Sequence, residues 1–282
     1  MSLFSRLIQT QVFLSNKLDS LLPAQFIFDG CRSFRCDFVP RFLKPHLVVW
    51  DIGGGKRPLI DLELKRRLGL RVVGLDLSES ELARAPEGSY DEMVVADITT
   101  FRGWGTADIV VCQALLEHVS DTEAALRAIS SVLKPGGLML LFAPCRNAAF
   151  ACLNRTLPHA LTKALLRTLN PLGDGGQGFP AYYDRCTPRD FRRIAEHSDM
   201  SVIDCRAYHA STYFHVLFPV YLLWRVWKLI IYRIAPEQFA ETFSMALRKG
   251  TDATLAVTSA PFRPPPERIA EEILGMEHER KQ

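Results

Sequence analysis

A short apolar run that ends in three consecutive glycines places the strongest constraint on how this chain folds. Residues 46–52 read HLVVWDI, and Gly53-Gly54-Gly55 follow at once. An apolar run of this length is typical of a strand buried on both faces. The glycines after it indicate a tight turn with bare backbone. Together they favour a parallel sheet covered by helices, with a ligand site at the turn.

Strand and helix patterns alternate through the rest of the chain. The predicted strands are short apolar runs, at 46–52, 71–77, 93–98, 107–112, 138–143, 201–207 and 252–259. The predicted helices lie between them, at 60–68, 78–85, 122–133 and from Thr187 onward. Such alternation is typical of parallel strands joined by crossover helices. We therefore expect the α/β class, with a doubly wound, mostly parallel sheet.

The pattern also divides the chain into parts. Residues 1–45 form an N-terminal helical segment, and the α/β domain follows at 46–260. Two insertions interrupt that domain: 144–186 is rich in turn formers, and 210–250 is apolar with a helical pattern. Residues 261–282 begin with three prolines and end in a charged tail.

Composition and charge exclude several classes of protein. The net charge of +3 is small and dispersed, so we expect no nucleic-acid partner. The seven cysteines form no CxxC pair, so we expect no metal site and a reducing, cytoplasmic location. No apolar run reaches the ~20 residues that a membrane-spanning helix needs, and no signal peptide is recognisable at the N-terminus.

Acidic residues follow three successive predicted strands. Asp51 precedes the glycine turn, where a carboxylate can meet an ammonium group, and Asp76 ends the second strand, where an acid can bind ribose hydroxyls. Asp97 ends the third strand and can accept a hydrogen bond from an adenine amino group. Carboxyl ends of parallel strands meet at one edge of a sheet, so these groups are expected to share a cleft. The apolar neighbours expected to face an adenine ring are Leu77 and Ile98.

Five motifs in this order resemble those of the class I S-adenosylmethionine (SAM) dependent methyltransferases, especially the group that methylates small molecules, lipids and glycans. They are VVWDIGGGKRP at 48–58, VVGLDLS at 72–78, VVADIT at 94–99, DIVVCQALLEHV at 108–119 and VLKPGGLMLLFAPCR at 132–146. The resemblance covers 46–145 well and 187–259 more loosely. It implies a Rossmann-like, seven-stranded sheet with an antiparallel last strand, and SAM as cofactor.

The resemblance also implies roles for individual residues. Gly53 and Gly55 would line the methionine part of SAM, with Gly54 between them in the turn. Asp76 would bind the ribose, and Gln113 would face the SAM carboxylate or the methyl group. Asp97 and Ile98 would bind the adenine.

Two rival functions share part of this pattern. A nicotinamide-dependent oxidoreductase would also need a glycine-rich turn after its first strand. It is disfavoured because Pro58 stands where the dinucleotide fingerprint requires Gly or Ala, and because Asp97 has no place in that fingerprint. A non-catalytic SAM-binding or scaffold protein is the second rival. One departure from the methyltransferase pattern is Arg57, which stands where many members carry a third glycine.

Methyl transfer from a sulfonium is an in-line displacement, so the protein mainly aligns the reactants, and a base is needed only if the acceptor loses a proton. Candidate bases or acceptor-site residues are His118, Tyr183 and His209. A structural role is the commoner one for both histidines, and Tyr183 is as compatible with a structural role as with the acceptor site. No Asn/Asp-Pro-Pro-Tyr motif follows the fourth strand, which disfavours an adenine base as the substrate.

Residues 213–234 form the most unusual segment. A helix there places Arg225, Lys228 and Tyr232 on one narrow stripe amid apolar residues. Such a helix is expected either to lie in a membrane interface or to be buried against the sheet or in a dimer contact. The first alternative suggests a peripheral enzyme on the inner face of the membrane, methylating an oxygen of a small, lipid-linked or glycan acceptor.

Overall fold

The structure is a computed structural model that describes residues 3–23, 26–156, 180–210 and 214–251. One sheet of seven strands runs through it, in the order β3-β2-β1-β4-β5-β7-β6. Strand β7 is antiparallel to both of its neighbours, and the other pairs are parallel. This confirms the predicted fold class. The strands are β1 (Val48–Ile52), β2 (Arg71–Asp76), β3 (Glu92–Val95), β4 (Ala107–Gln113), β5 (Leu133–Pro144), β6 (Met200–Tyr208) and β7 (Thr242–Lys249).

Helices cover the sheet, and their ends follow ordinary capping chemistry. The side chain of Asp61 accepts a hydrogen bond from the N–H of Leu64, and Gly69 ends the same helix in the left-handed region at φ 58°. The helix predicted from Thr187 onward is capped by Thr187 itself, whose side chain accepts a hydrogen bond from the N–H of Asp190. The α-helices are α1 (Leu3–Asp19), α2 (Gly30–Ser33), α3 (Leu62–Leu68), α4 (Glu79–Leu82), α5 (Thr122–Val132), α6 (Ala149–Thr156), α7 (Pro188–Glu196) and α8 (Phe218–Ile234). A π-helix spans Phe34–Phe38, and 3-10 turns span Val39–Arg41 and Leu116–His118.

The core lies on both faces of the sheet. Successive residues of β1 point to opposite sides: Val49 packs in one apolar cluster, and Trp50 and Ile52 pack in the other. Burial of each such side chain contributes about 1.5–3 kcal/mol. The strand that enters the glycine turn is therefore anchored from above and below, which fixes the position of the turn.

The position predicted for the seventh strand was wrong. The predicted range 252–259 lies outside the described residues, and the strand at this place in the sheet is β7, inside the range predicted as a helical insertion. Phe243, Met245 and Leu247 are buried, and so are Ser244 and Ala246 between them. The large apolar side chains of this run, TFSMALRK, recur at every second position, which is the pattern of a strand, but the run was included in the range 210–250 assigned to the helical insertion.

Helix α8 buries two of its three cations and a tyrosine. Tyr221, Arg225 and Lys228 are each no more than 2% exposed. The Nε atom of Arg225 donates to Asp19 Oδ1 of α1 at 2.9 Å, and the Nζ atom of Lys228 lies 2.9 Å from Glu241 Oε1. Of the two alternatives for the basic stripe, the structure shows that Arg225 and Lys228 are buried, because each pairs with a carboxylate from outside the helix, Asp19 and Glu241.

Two further observations concern membrane-spanning helices and the cysteines. Within the described ranges, no helix is both long enough and apolar enough to cross a bilayer. All seven cysteines lie in the described part of the chain, and each is a free thiol.

Candidate cofactor site

The glycine turn lies at the carboxyl end of β1. Gly53 and Gly55 have φ angles of 78° and 49°, in the region that glycine adopts without strain. The N–H of Gly53 donates to Leu75 O at 2.7 Å, so the turn is tied to β2. A Cβ atom on Gly53 would lie 3.0 Å from the Leu115 side chain. Leu115 therefore packs against the turn, and space as well as conformation requires glycine at position 53.

The carboxylate of Asp76 faces this turn. Its Oδ2 atom lies 3.2 Å from the position that a Cβ atom would take on Gly55. The Oδ1 atom accepts a hydrogen bond from the N–H of Ser78 at 2.9 Å, which fixes the orientation of the carboxylate. The predicted proximity of the glycine turn and the acid after β2 is thus present.

Asp97 follows the edge strand β3, which pairs with β2. Its side chain is exposed, and Oδ1 accepts from both the N–H and the hydroxyl of Thr99, at 2.8 and 2.7 Å. Ile98 is buried, whereas Leu77 is 70% exposed. Leu77 is thus the accessible apolar side chain of this predicted pair, and Ile98 belongs to the core.

Asp51 is buried beneath the turn. Its Oδ2 atom accepts from the N–H of Leu59 at 2.7 Å, which closes the loop after the glycines. Burial raises the pKa of Asp51 to about 6, although the Leu59 hydrogen bond and the charge of Arg35 act in the opposite direction. Asp51 therefore has a structural partner in addition to any ligand.

Gln113, at the end of β4, contacts a residue that the sequence did not single out. The Nε atom of Arg35, in the π-helix, donates to Gln113 Oε1 at 2.8 Å, and Gln113 Nε2 donates to Cys31 Sγ at 2.8 Å. Arg35 Nη2 also reaches Arg57 O at 3.5 Å. The N-terminal segment thereby places a guanidinium beside Gln113 and the loop after the glycine turn.

Tyr90 is a second residue that the sequence analysis missed. Its hydroxyl donates to Gly55 O at 3.0 Å, and its ring fills the space beside Gly74, where a Cβ atom would meet it at 2.8 Å. Tyr90 is buried and supports the turn from below. Its only sequence signal is an aromatic residue just before an exposed strand.

The three candidate catalytic residues occupy different environments. The Nδ1 atom of His118 lies 3.0 Å from Pro180 O. Tyr183 is buried at φ 51°, and its N–H donates to Glu117 O at 3.0 Å. His209 is buried between the rings of Phe26 and Tyr232, with centroids 5.0 and 5.1 Å away.

Electrostatics further separate His209 from the other two. Burial lowers its pKa to about 3, and the charges of Lys228 and Arg225 act in the same direction. The ring is therefore neutral throughout the physiological range. His209 lies directly after β6, at the end of the sheet opposite β3.

Glu117 is a buried acid that the sequence analysis passed over. It lies directly before His118, and burial raises the pKa of its carboxyl to about 8. Its Oε2 atom has no hydrogen-bond partner among the described residues. The carboxyl is therefore mostly protonated near neutral pH. Within the described ranges, no three His, Cys, Asp or Glu side chains form a group able to hold a metal ion.

Comparison with known proteins agrees with this geometry. Residues 50–141 match a family model described as a methyltransferase domain. The chain is similar to a ubiquinone biosynthesis O-methyltransferase of Cupriavidus pinatubonensis, with 29% identity over 165 residues, which is 56% of this chain and 61% of that protein. It is also similar to the enzyme of the same name from Xanthomonas campestris pv. campestris, with 35% identity over 127 residues, 42% of this chain and 52% of that protein. The chain thus spans less than two thirds of the length of these curated relatives.

A solved structure shares the fold. The cyclase SpnF superimposes with a TM-score of 0.51 and 15% identity, covering 86% of this chain and 95% of that one. At this identity the similarity shows the fold alone. The same fold therefore also occurs in a protein that is described as a cyclase and not as a methyltransferase.

Proposed function

We propose that this chain, which carries a class I SAM-dependent methyltransferase domain, transfers the methyl group of SAM to an oxygen of a small, lipid-linked acceptor. The observation that carries the proposal is the proximity of the glycine turn at Gly55 to the oriented carboxylate of Asp76. A carboxylate held beside bare backbone suits a ligand with paired ribose hydroxyls.

The residues at this edge of the sheet fit SAM. Asp76 is placed to accept hydrogen bonds from the ribose hydroxyls, and Leu77 offers an exposed apolar side chain to the adenine. Arg35 and Gln113 supply a cation and an amide at the other side of the turn, where a carboxylate would be held by charge-assisted hydrogen bonds. When bound, SAM supplies a methyl group that is already activated by the sulfonium. The chain's own task is to align the acceptor and exclude water.

The choice of oxygen as acceptor atom rests on the curated relatives, which are named O-methyltransferases of ubiquinone biosynthesis. Ubiquinone is a lipid, and this supports a lipid-linked acceptor over a glycan. The proposal assigns no general base, because His209 is buried among aromatic rings and Glu117 is mostly protonated near neutral pH.

Binding and turnover test the proposal separately. Calorimetric titration of the wild-type protein with SAM should give saturable binding, and Asp76→Ala should weaken it about 10- to 100-fold, the worth of hydrogen bonds to a charged group. Glu196→Ala, which removes an exposed carboxylate at the end of α7, just before β6 at the far end of the sheet from β2, is the matched control and should bind as the wild type does.

Turnover is measured with methyl-labelled SAM and phenolic acceptors that carry or lack a prenyl chain. Transfer to the prenylated phenols, lost in Asp76→Ala, supports the proposal. Binding of SAM without transfer to any of these acceptors would favour the non-catalytic alternative. Equal and negligible SAM affinity of the wild type and Asp76→Ala would contradict the cofactor assignment itself.

A further inference from the structure

The outer surface of α8 is apolar. Leu223, Ile230 and Ile234 are 72%, 56% and 73% exposed, which is unusual for such large aliphatic side chains on one helix. We call the exposed side of this helix the outer face of α8. It consists of Val220, Leu223, Val226, Trp227, Ile230 and Ile234.

The helix is inverted relative to an ordinary surface helix. At about 100° per residue, the outer face lies opposite the stripe formed by Tyr221, Arg225 and Lys228, which is buried. An ordinary amphipathic helix turns its apolar side to the core and its charges to water. Here the cations are held inside by Asp19 and Glu241, and the apolar side is left outside. This arrangement suits a helix whose outer side does not meet water.

The charge of the two packed helices indicates what meets this face. Helix α1 packs against α8, and Asp19 is the only carboxylate in either helix. That carboxylate is neutralised internally by Arg225. The exposed charged side chains of the pair are all cationic: Arg6, Lys17 and Arg233.

We propose that the outer face of α8 docks onto an anionic lipid bilayer and lies in its interface. The apolar side chains enter the headgroup and acyl boundary, and Trp227, which is 45% exposed, lies at headgroup level. Arg233, the exposed cation of α8 itself, is attracted to anionic headgroups. The helix lies on the surface, since its 17 residues are too few to cross the bilayer. The inference goes beyond the proposed function and does not depend on it.

Flotation of the full-length protein with phosphatidylcholine vesicles, with or without phosphatidylglycerol, tests this docking. The wild type should float with the anionic vesicles and remain largely free with the neutral ones. Leu223→Asp combined with Ile230→Asp should weaken partitioning about 100-fold or more, because two large apolar side chains no longer enter the interface. Arg233→Gln should weaken binding to anionic vesicles about fivefold, the worth of one cation near such a surface.

Met93→Asp combined with Trp104→Asp is the matched control. These residues are 48% and 76% exposed, and Met93 lies in β3, at the opposite end of the sheet. This variant adds the same charge and should float as the wild type does. Circular dichroism confirms that each variant is folded. Because both positions on α8 are exposed, their substitution should leave the fold intact.

Three outcomes would overturn the proposal. The first is a wild type that stays unbound with both kinds of vesicle. The second is flotation that is equal for the α8 variant and its matched control. The third is a dimer, detected by light scattering, that the α8 variant converts to a monomer while vesicle binding is absent, since a second copy would then cover the outer face of α8. All of these measurements are made without SAM, so a failed methyl-transfer assay has no bearing on them.

Discussion

The Oδ2 atom of Asp76 lies 3.2 Å from the point where a Cβ atom would stand on Gly55. The space between the turn and the carboxylate is therefore just large enough for a residue without a side chain. The backbone at φ 49° adds a second reason for glycine at this position. The two effects can be separated by experiment, because Gly88 has a positive φ as Gly55 does but has room where its Cβ atom would lie.

Gly55→Ala should lower the free energy of unfolding by about 1–2 kcal/mol, the cost of placing an L-residue in the left-handed region. It should also weaken SAM binding about tenfold or more, since a loss of about 1.4 kcal/mol is tenfold. Gly88→Ala is the control: its φ is 77°, but its Cβ would meet only Leu62, at 3.7 Å. Denaturant titration and calorimetry measure both effects. Equal SAM affinity of the two variants would contradict the role given to the turn.

Arg35→Gln should weaken SAM binding about 10-fold or more, because a charge-assisted hydrogen bond to the SAM carboxylate is lost. The decisive comparison uses decarboxylated SAM, which should bind the wild type and Arg35→Gln with similar affinity. Arg32→Gln, a few residues earlier in the chain, serves as the charge-matched control. If Arg35→Gln weakens the binding of SAM and of decarboxylated SAM by the same factor, Arg35 acts by shaping the N-terminal segment and not by holding a carboxylate.

The buried carboxyl of Glu117 should make stability depend on pH. Its pKa is about 8 in the folded protein and 4.5 in the unfolded chain, so between these values the folded chain holds a proton that the unfolded chain has released. Stability should therefore fall as pH rises through this window. Glu117→Gln should remove that fall. The free energy of unfolding of the variant, relative to that of the wild type, should therefore be higher at about pH 8 than at about pH 5 by at least ~1.4 kcal/mol. Urea unfolding at both pH values measures this, with the exposed Glu79→Gln as control. Parallel profiles for the wild type and Glu117→Gln would disprove it.

Asp19→Ala should lower the free energy of unfolding by about 3–5 kcal/mol, because it leaves the buried Arg225 guanidinium without its counter-ion. Glu92→Ala breaks an exposed ion pair with Arg71 and should cost less than ~1 kcal/mol. Chemical denaturation compares the two. A cost for Asp19→Ala no larger than that for Glu92→Ala would show that the contact between α1 and α8 is held by packing alone.

The features that the sequence predicted correctly are local ones. A buried strand that enters three glycines, and a carboxylate at the end of the next strand, are each visible within a few residues. The rule that parallel strands end at one edge then brings Gly55 and Asp76 together. Arg35 was out of reach because it meets Gln113 across 78 residues of chain, and near the N-terminus it looks like any solvated cation.

Helix α8 shows a different limit. Helical periodicity separates the side of Arg225 and Lys228 from the side of Leu223 and Ile230, but it does not say which side is inside. The usual assumption, that apolar residues face inward, fails here because Arg225 pairs with Asp19, 206 residues away in the chain, and Lys228 pairs with Glu241, which lies outside the helix just before β7. For β7 the local signal was present, since Phe243, Met245 and Leu247 recur at every second position, but the strand lies inside the apolar range assigned to the helical insertion.

The place of β7 in the sheet has a consequence for synthesis of the chain. Among the strands that the structure describes, β6 pairs with β7 alone, and β7 joins it to β5. A nascent chain that has not yet released Thr242–Lys249 from the ribosome therefore has β1 to β5 available for pairing, while β6 has no neighbour. The part of the sheet that holds the glycine turn, β1 to β5, can therefore form first. Strand β6 can join the sheet only after β7, the last described strand, has been synthesised.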